Sequence, residues 1–396
     1  MKTRDVAIIY DVAYPFVSGG GQRRIYEVAT RLAQAGWDVT WYTLKTWDGA
    51  DIRTLDGITY IGLPGHTRLY SPSGRRSIRE ALSFGLSIWR VRVRISQHRV
   101  IWCGQWPYFH IFGLITRCRH RLVIDWWETW GTHWIRYLGI MGVFGFLIER
   151  SAAFLFSRNA RLVTLVPIAR RAVIAAGARR AAVHTISNGI NLEEIQRVPP
   201  AESNGRLIYV GRLKDHKNVD HILRAIAIIN ARGNGVISAD IIGSGPELLR
   251  LQSLAEKLCV QEHVNFWGEL GTEQMLAMLK AAALFIHPST KEGGGSITLL
   301  EANACGIPVA IYRHPTGIDT SLVVDGVTGI IVEPATPAEL ADRIVQFLND
   351  RGRSAECQAA CVQFAQRHDW SVVSAEYERL FDSVLFALPE VQLEVK

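Results

Sequence analysis

The sequence has no Asp-x-Asp pair and no His/Cys cluster at metal-ligand spacing. It therefore offers none of the oxygen-rich or thiolate/imidazole sets that tightly held cations use, and metal chemistry is not indicated. The six cysteines, at positions 103, 118, 259, 305, 357 and 361, sit mostly within apolar patterns. They read as reduced core thiols of a cytoplasmic protein, not as a disulfide framework. A secretory leader is not expected either, since the opening MKTRDVAIIYD puts Asp5 and then a strand where an apolar h-region would stand. The longest lipid-like stretch, Leu138 to Ile148, has 11 residues and stops at Glu149-Arg150. A membrane-spanning helix needs about 20.

What the chain does have is length and a lopsided charge. Its 396 residues, 48% apolar and 20% charged, suit two or three globular domains. Residues 1–198 carry 27 Lys+Arg against 13 Asp+Glu, whereas residues 199–396 carry 17 against 24. The halves thus hold +14 and −7, and ten of the twelve tryptophans precede residue 135. A basic, Trp-rich half beside an acidic half implies surfaces with different partners. The helical pattern from Ser77 to Gln97 carries Arg90, Arg92 and Arg94 with Trp89, and Trp102 and Trp106 lie nearby. That mixture suits an anionic membrane surface, with a solvated basic edge as the plain alternative. No nucleic-acid-binding module accompanies the charge, so nucleic acid is not expected as a partner.

Strands and helices alternate along the chain. Val6 to Tyr10 reads as a strand, followed by a loop with Gly19, Gly20 and Gly21 and a helix from about Gln22 to Ala35. The loop is not GxGxxG, so a dinucleotide is not indicated. Arg121 to Asp125 reads as a further strand ending in WWETWGTHW, which would bring Asp125, Glu128, Thr129 and His133 to the carboxyl end of a sheet, where ligands bind. Val198-Pro199-Pro200 and the polar residues after it look like an interdomain linker. The pattern then restarts with a strand from Leu207 to Val210 and the loop Gly211-Arg212-Leu213-Lys214-Asp215-His216-Lys217-Asn218. A strand at Asp240 to Ile242 leads into Gly243-Ser244-Gly245-Pro246, and Val264 to Trp267 follows. The expected fold class is α/β, with two Rossmann-like doubly wound domains facing across a cleft. The divisions are 1–195, 196–369 and a C-terminal helical segment, 370–396, crossing back to the first domain.

The most informative stretch is His287 to Cys305, HPSTKEGGGSITLLEANAC. An apolar strand ends at His287, three glycines (293–295) turn the chain, and a helix begins near Ser296. Backbone N–H groups at such a helix start attract an anion. Glu292 and Glu301 bracket the loop, and carboxylates there would repel phosphate but accept bonds from hydroxyls. Phosphate and polyol together suggest a nucleotide sugar.

These pieces in this order resemble the retaining glycosyltransferases of family 4 (group 1), which have the two-domain GT-B fold. The resemblance rests on Gly211-Arg212-Leu213…Lys217-Asn218, Gly243-Ser244-Gly245-Pro246-Glu247, Phe266-Trp267-Gly268 and His287-Pro288-Ser289 through Glu301-Ala302…Gly306-Ile307-Pro308. It implies a hexosyltransferase that uses a nucleotide-diphosphate sugar as donor substrate, with no cofactor and no metal. By the same resemblance Arg212 and Lys217 would grip the diphosphate, Glu292 and the backbone at Gly294, Gly295 and Ser296 would contact the sugar, and Glu301 would hold the ribose. Gly20 and Gly21 would approach the diphosphate, with Gly211, Gly243, Gly245 and Trp267 completing the donor site. The sequence departs from the family twice. Eight residues separate Glu292 from Glu301 where seven are usual, so either the loop carries one extra glycine or Gly293 stands at the first acid's position. Trp127 stands where a histidine often follows the strand, so Glu128 or His133 takes its part, or nothing does. The acceptor is expected to be lipid-linked or part of an envelope glycan, and the protein peripheral on the inner face of the membrane. A nucleotide-sugar epimerase or hydrolase of the same fold, or a binding protein that has lost catalysis, are the competing readings.

Overall fold

The computed structural model describes residues 4–17, 19–66, 77–202, 205–233, 235–292, 295–350 and 355–387, with the side chains of Ile78 and Tyr137 excepted. Two compact units divide the chain. The first takes in residues up to Leu165, Ala169–Ile186 and the chain from Ser371 onward; the second comprises Val166–Ile168 and Ser187–Trp370.

Among the described residues the first unit is built on eight strands: β1 (Asp5–Ile9), β2 (Asp38–Leu44), β3 (Ile52–Leu55), β4 (Ile58–Leu63), β5 (Val100–Gly104), β6 (Leu122–Asp125), β7 (Ala160–Thr164) and β8 (Val183–Thr185). Their order is β3-β4-β2-β1-β5-β6-β7-β8, parallel except for the β3–β4 hairpin. That hairpin turns on Asp56 and Gly57, both at positive φ (51° and 78°), the pairing a two-residue turn demands. The helices are α1 (Gly20–Gln34), α2 (Ile78–Ile95), α3 (Phe109–Ile115), α4 (His133–Leu138), α5 (Gly142–Asn159) and α6 (Pro167–Ala175). Gly36 ends α1 at φ 85°, its N–H reaching Ala33 O while Trp37 N–H reaches Leu32 O.

The second unit holds β9 (Leu207–Val210), β10 (Ala239–Ile242), β11 (Val264–Gly268), β12 (Leu284–His287), β13 (Val309–Tyr312) and β14 (Gly329–Val332). All pair in parallel in the order β11-β10-β9-β12-β13-β14, the doubly wound arrangement whose strand order reverses between β9 and β12. Strands β9, β10, β12 and β13 are buried at every residue, as expected when helices cover both faces. Those helices are α7 (Leu192–Arg197), α8 (Val219–Ala231), α9 (Leu248–Lys257), α10 (Thr272–Ala281), α11 (Ile297–Ala304), α12 (Pro337–Asp350) and α13 (Ala355–Gln366). The last helix, α14 (Trp370–Phe386), packs in the first unit, where Tyr377 and Phe381 lie against Trp102 at ring-centroid distances of 4.8 and 5.6 Å.

Several expectations are corrected. The unit boundary falls at Ile186/Ser187, where β8 ends the first sheet, and not at 195/196. The Val198-Pro199-Pro200 stretch belongs to the second unit, tied in by Lys280 Nζ on Val198 O and by Ala201 N–H on Ala277 O at 3.0 Å. Helix α1 starts at Gly20, so Gly20 and Gly21 form its first turn instead of preceding it. Trp102 lies on the central strand β5 and is buried, and so is unavailable to a membrane surface. Cys259 is exposed, while Cys103, Cys118, Cys357 and Cys361 are buried; all six are free thiols. The apolar stretch does not stop at Glu149. Glu149 is buried against the fold, and the helical segment Gly139–Asn159 is long and apolar enough to cross a membrane by length and composition.

Candidate active site

In the second unit the loops leaving β9 and β12 meet at the strand-order reversal. Asn218, in the left-handed conformation (φ 50°), joins them: its side-chain amide donates to Pro288 O at 2.9 Å and to Thr290 Oγ1 at 3.1 Å. Ser289 Oγ donates to His216 O at 3.1 Å. This stitching brings Lys217 from one loop onto Glu292 of the other, an ion pair in which each side chain is 12% exposed. Glu292 also accepts from His287 Nε2 at 2.9 Å. The buried imidazole stacks between Tyr209 and Phe285 at centroid distances of 6.2 and 5.7 Å.

Burial alone would raise the Glu292 carboxyl. The hydrogen bond and charge of His287, with those of Lys217, outweigh it and hold the group at about 2. Such a carboxylate stabilises the fold above its ordinary value of 4.5, and that contribution is lost as pH falls toward 2. Between these values wild-type protein should lose thermal stability more steeply than Glu292→Gln, whose side chain has no proton to gain. Parallel melting profiles for the two proteins would refute the pair.

Arg212 is exposed beside this cluster, and its guanidinium has no partner among the described residues. Its carbonyl accepts from Tyr209 OH at 3.1 Å. Burial, then the Glu292 charge, raises that phenol, which keeps it a neutral donor. Gly243 is a glycine for a packing reason: at φ 130°, a Cβ there would stand 2.0 Å from Gly211 O. A Cβ on Gly245 would stand 2.3 Å from Leu213 O. Loop residues 243–245 and 211–213 thus cross with no room for side chains, sealed by Leu213 N–H on Ser244 O at 2.8 Å.

Ser296 caps α11 by position without a side-chain bond to its N–H groups, pairing instead with Thr298 Oγ1 at 2.7 Å. Glu301 lies half-buried on α11, and Gly295 has only ordinary contacts around it. Gly294, expected to contact the sugar, and its neighbour Gly293 fall outside the described residues. Trp267 is drawn away from the carboxyl edge of the sheet. Its indole N–H donates at 3.0 Å to Asp240, near the amino end of β10, and its ring is 45% exposed.

In the first unit the strand order reverses between β1 and β5. Gly21 has no room for a side chain, since its Cβ would stand 2.5 Å from the Trp127 ring, whereas Gly20 faces open space. Trp127 therefore covers the first turn of α1. Asp125 does not line a ligand surface as expected. It is fully buried, accepting from Tyr377 OH at 2.7 Å with Arg24 Nε 3.9 Å away. Glu128 is exposed, and its carboxylate accepts from Trp130 Nε1 at 2.9 Å; His133 packs edge-on against the same indole.

Two positioning residues escaped the sequence reading. Gln105 brackets the backbone of Glu128, donating to its carbonyl at 2.6 Å and accepting from its N–H at 3.2 Å. Glu149, fully buried on α5, accepts from Trp130 N–H at 2.8 Å and Gly131 N–H at 2.6 Å. An acid next to an arginine in an apolar helix was the available signal for Glu149. Nothing in the sequence marks Gln105.

Two doubly wound units with polar loops at their strand-order reversals are a ligand-binding architecture shared by many enzymes, and comparison with known proteins identifies the family. A family model described as Glycosyl transferases group 1 matches residues 191–368, and one described as Glycosyl transferase 4-like domain matches residues 19–189. The chain belongs to the group 1 glycosyltransferases. It is similar to a D-inositol 3-phosphate glycosyltransferase of Thermobispora bispora, 30% identical over 220 residues and covering 51% of each chain. It is also similar to a GDP-mannose-dependent alpha-(1-6)-phosphatidylinositol monomannoside mannosyltransferase of Mycolicibacterium smegmatis, 28% identical over 242 residues, 57% of this chain and 61% of that one. The chain spans about half the length of the curated relatives it matches. Its fold is that of sucrose-phosphate synthase from Thermosynechococcus elongatus, with TM-score 0.75 and 19% identity over 97% of this chain and 100% of that one. This is the GT-B fold.

Proposed function

We propose that the chain moves a sugar from a nucleoside-diphosphate donor to a lipid-linked or cell-envelope glycan, with retention at the anomeric carbon and without a metal ion. The work would be done in the cytoplasm, at an anionic membrane surface. The observation that carries this reading is the group Arg212, Lys217, His287 and Glu292 at the strand-order reversal of the second unit. As the bond from the anomeric carbon to the phosphate oxygen breaks, its electron pair leaves with the diphosphate. Arg212 and Lys217 supply the positive charge that meets it. The acceptor oxygen bonds to the same face of the anomeric carbon and gives its proton to the departing diphosphate oxygen. Glu301 would accept from the ribose hydroxyls, and Glu292, ionised throughout the working range, from those of the sugar. The names of the relatives support a nucleotide-sugar donor and an acceptor carrying an inositol or its phospholipid.

A panel of UDP- and GDP-sugars, incubated with and without extracted lipid acceptor, tests the reading. An acceptor-dependent product with the donor's anomeric configuration is expected. Free sugar alone, whatever acceptor is present, would make the chain a hydrolase, and a changed nucleotide sugar would make it an epimerase. Because Arg212 and Lys217 supply the charge, activity should persist in EDTA. Loss in EDTA with recovery on adding magnesium or manganese would overturn the metal-independent form.

A further inference from the structure

Helix α5 is apolar on both sides. It buries Gly142, Glu149, Ala152, Ala153, Phe156 and Ser157, and what it leaves outside is apolar too. Phe144, Leu147, Phe154 and Leu155 are each 44–61% exposed, and Ile140 and Met141 in the preceding turn are 85% and 61% exposed. A helix that is hydrophobic all round belongs in a core or against lipid, and only 28% of this helix's most apolar window is buried.

Helices α2 and α3 extend the same face. Leu82, Leu86, Trp89 and Val93 form one exposed stripe along α2 at helical spacing. Phe112 of α3, itself 37% exposed, packs beside α5 with its ring 5.0 Å from that of the buried Phe156, and Trp89 lies over Gly113, so the three helices are neighbours. Patches of this extent are rarely left open on a soluble surface.

The charge on these helices selects the occupant. Every exposed charged residue on α2 and α5 is an arginine: Arg79, Arg90, Arg94, Arg150 and Arg158. The two acids, Glu80 and Glu149, are completely buried. Arg158 lies 3.3 Å over the Phe154 ring and Arg92 lies 3.8 Å over Trp89, stems along the apolar surface. A second copy of the chain would set arginine against arginine.

We infer that the α2–α3–α5 face docks on an anionic lipid bilayer, with α5 lying in the interface plane and not crossing it. Crossing would pull Glu149 from its hydrogen bonds to Trp130 and Gly131. The same helix therefore meets lipid on one side and holds the Glu128–His133 loop on the other, which sets that loop beside the lipid surface. The purpose of this arrangement rests on the lipid-linked acceptor proposed above, but its existence does not.

Sedimentation with vesicles tests docking separately from catalysis. Wild-type protein should bind phosphatidylglycerol vesicles well and phosphatidylcholine vesicles weakly, with salt reducing but not abolishing binding. Phe144→Ser with Leu147→Ser should lower binding roughly tenfold or more, as should Arg90→Glu with Arg150→Glu and Arg158→Glu. Melting temperature should stay unchanged in both, because all these side chains are exposed. Equal sedimentation of wild type and both variants would overturn the proposal. So would absent lipid binding with a dimer, seen by light scattering, that the Phe144/Leu147 variant dissolves. If docking holds while acceptor-dependent transfer fails, the functional reading is wrong and the surface stands.

Discussion

Alanine at Lys217 or Arg212 should lower turnover about a hundredfold, the scale on which one preorganised electrostatic contact acts. The two variants separate structure from chemistry. Arg212 is exposed with no partner among the described residues, so its loss should leave stability within about 0.5 kcal/mol of wild type. Lys217 shares a mostly buried carboxylate with His287, so Lys217→Ala should also be measurably less stable. The loss should fall on kcat more than on KM if the charge is needed as the diphosphate leaves. Turnover within threefold of wild type in Arg212→Ala would remove that residue from the mechanism.

Replacing Arg24 by Met should cost roughly 3–5 kcal/mol, the usual loss when one partner of a buried ion pair is deleted. Arg24 is 2% exposed and donates to Ile186 O and Tyr377 OH, both at 2.9 Å, beside a wholly buried Asp125. Burial raises the Asp125 carboxyl, and Arg24 is the main influence lowering it. Without Arg24 the carboxyl should rise further, so the folded protein would hold a proton that the unfolded chain releases. The deficit should therefore be larger at pH 8 than at pH 5. Urea denaturation at the two pH values would show this, and an equal loss at both would mean that Asp125 does not carry the effect.

The second unit was the more legible half of the chain. Its central strands are short apolar runs ended by Gly or His-Pro, so β9 was readable to the residue and β12 at its carboxyl end, and with them the loops bearing Arg212, Lys217 and Glu292. What could not be read was the pairing: Lys217 and Glu292 are 75 residues apart and meet only because parallel strands β9 and β12 are neighbours. The first unit misled where apolar residues serve two roles. Trp102 looked like an interface anchor beside arginines, yet it lies on the strand next to β1, with α14 over it. Asp56-Gly57 was a strong turn signal between alternating residues, and the hairpin it makes went unread. In the sequence Glu149-Arg150 reads as the end of an apolar run, because a charge in a helix suggests water. The carboxylate instead accepts hydrogen bonds from two backbone N–H groups, although Leu147 and Ile148 beside it in the chain are exposed.

The placing of α14 bears on the order in which the chain can acquire structure as it leaves the ribosome. Residues 187–370 form an unbroken segment with its own parallel sheet, complete as soon as it has emerged. The first unit, although synthesised earlier, must wait for Tyr377 and Phe381 before Asp125, Arg24 and Trp102 have their neighbours. The half made first is thus finished last, and in the interval part of a basic, tryptophan-rich sheet stands uncovered. Chains truncated after Trp370 should yield a protease-resistant core from the second unit and rapid digestion of the first. Equal resistance of both would show that the early half closes without its last helix.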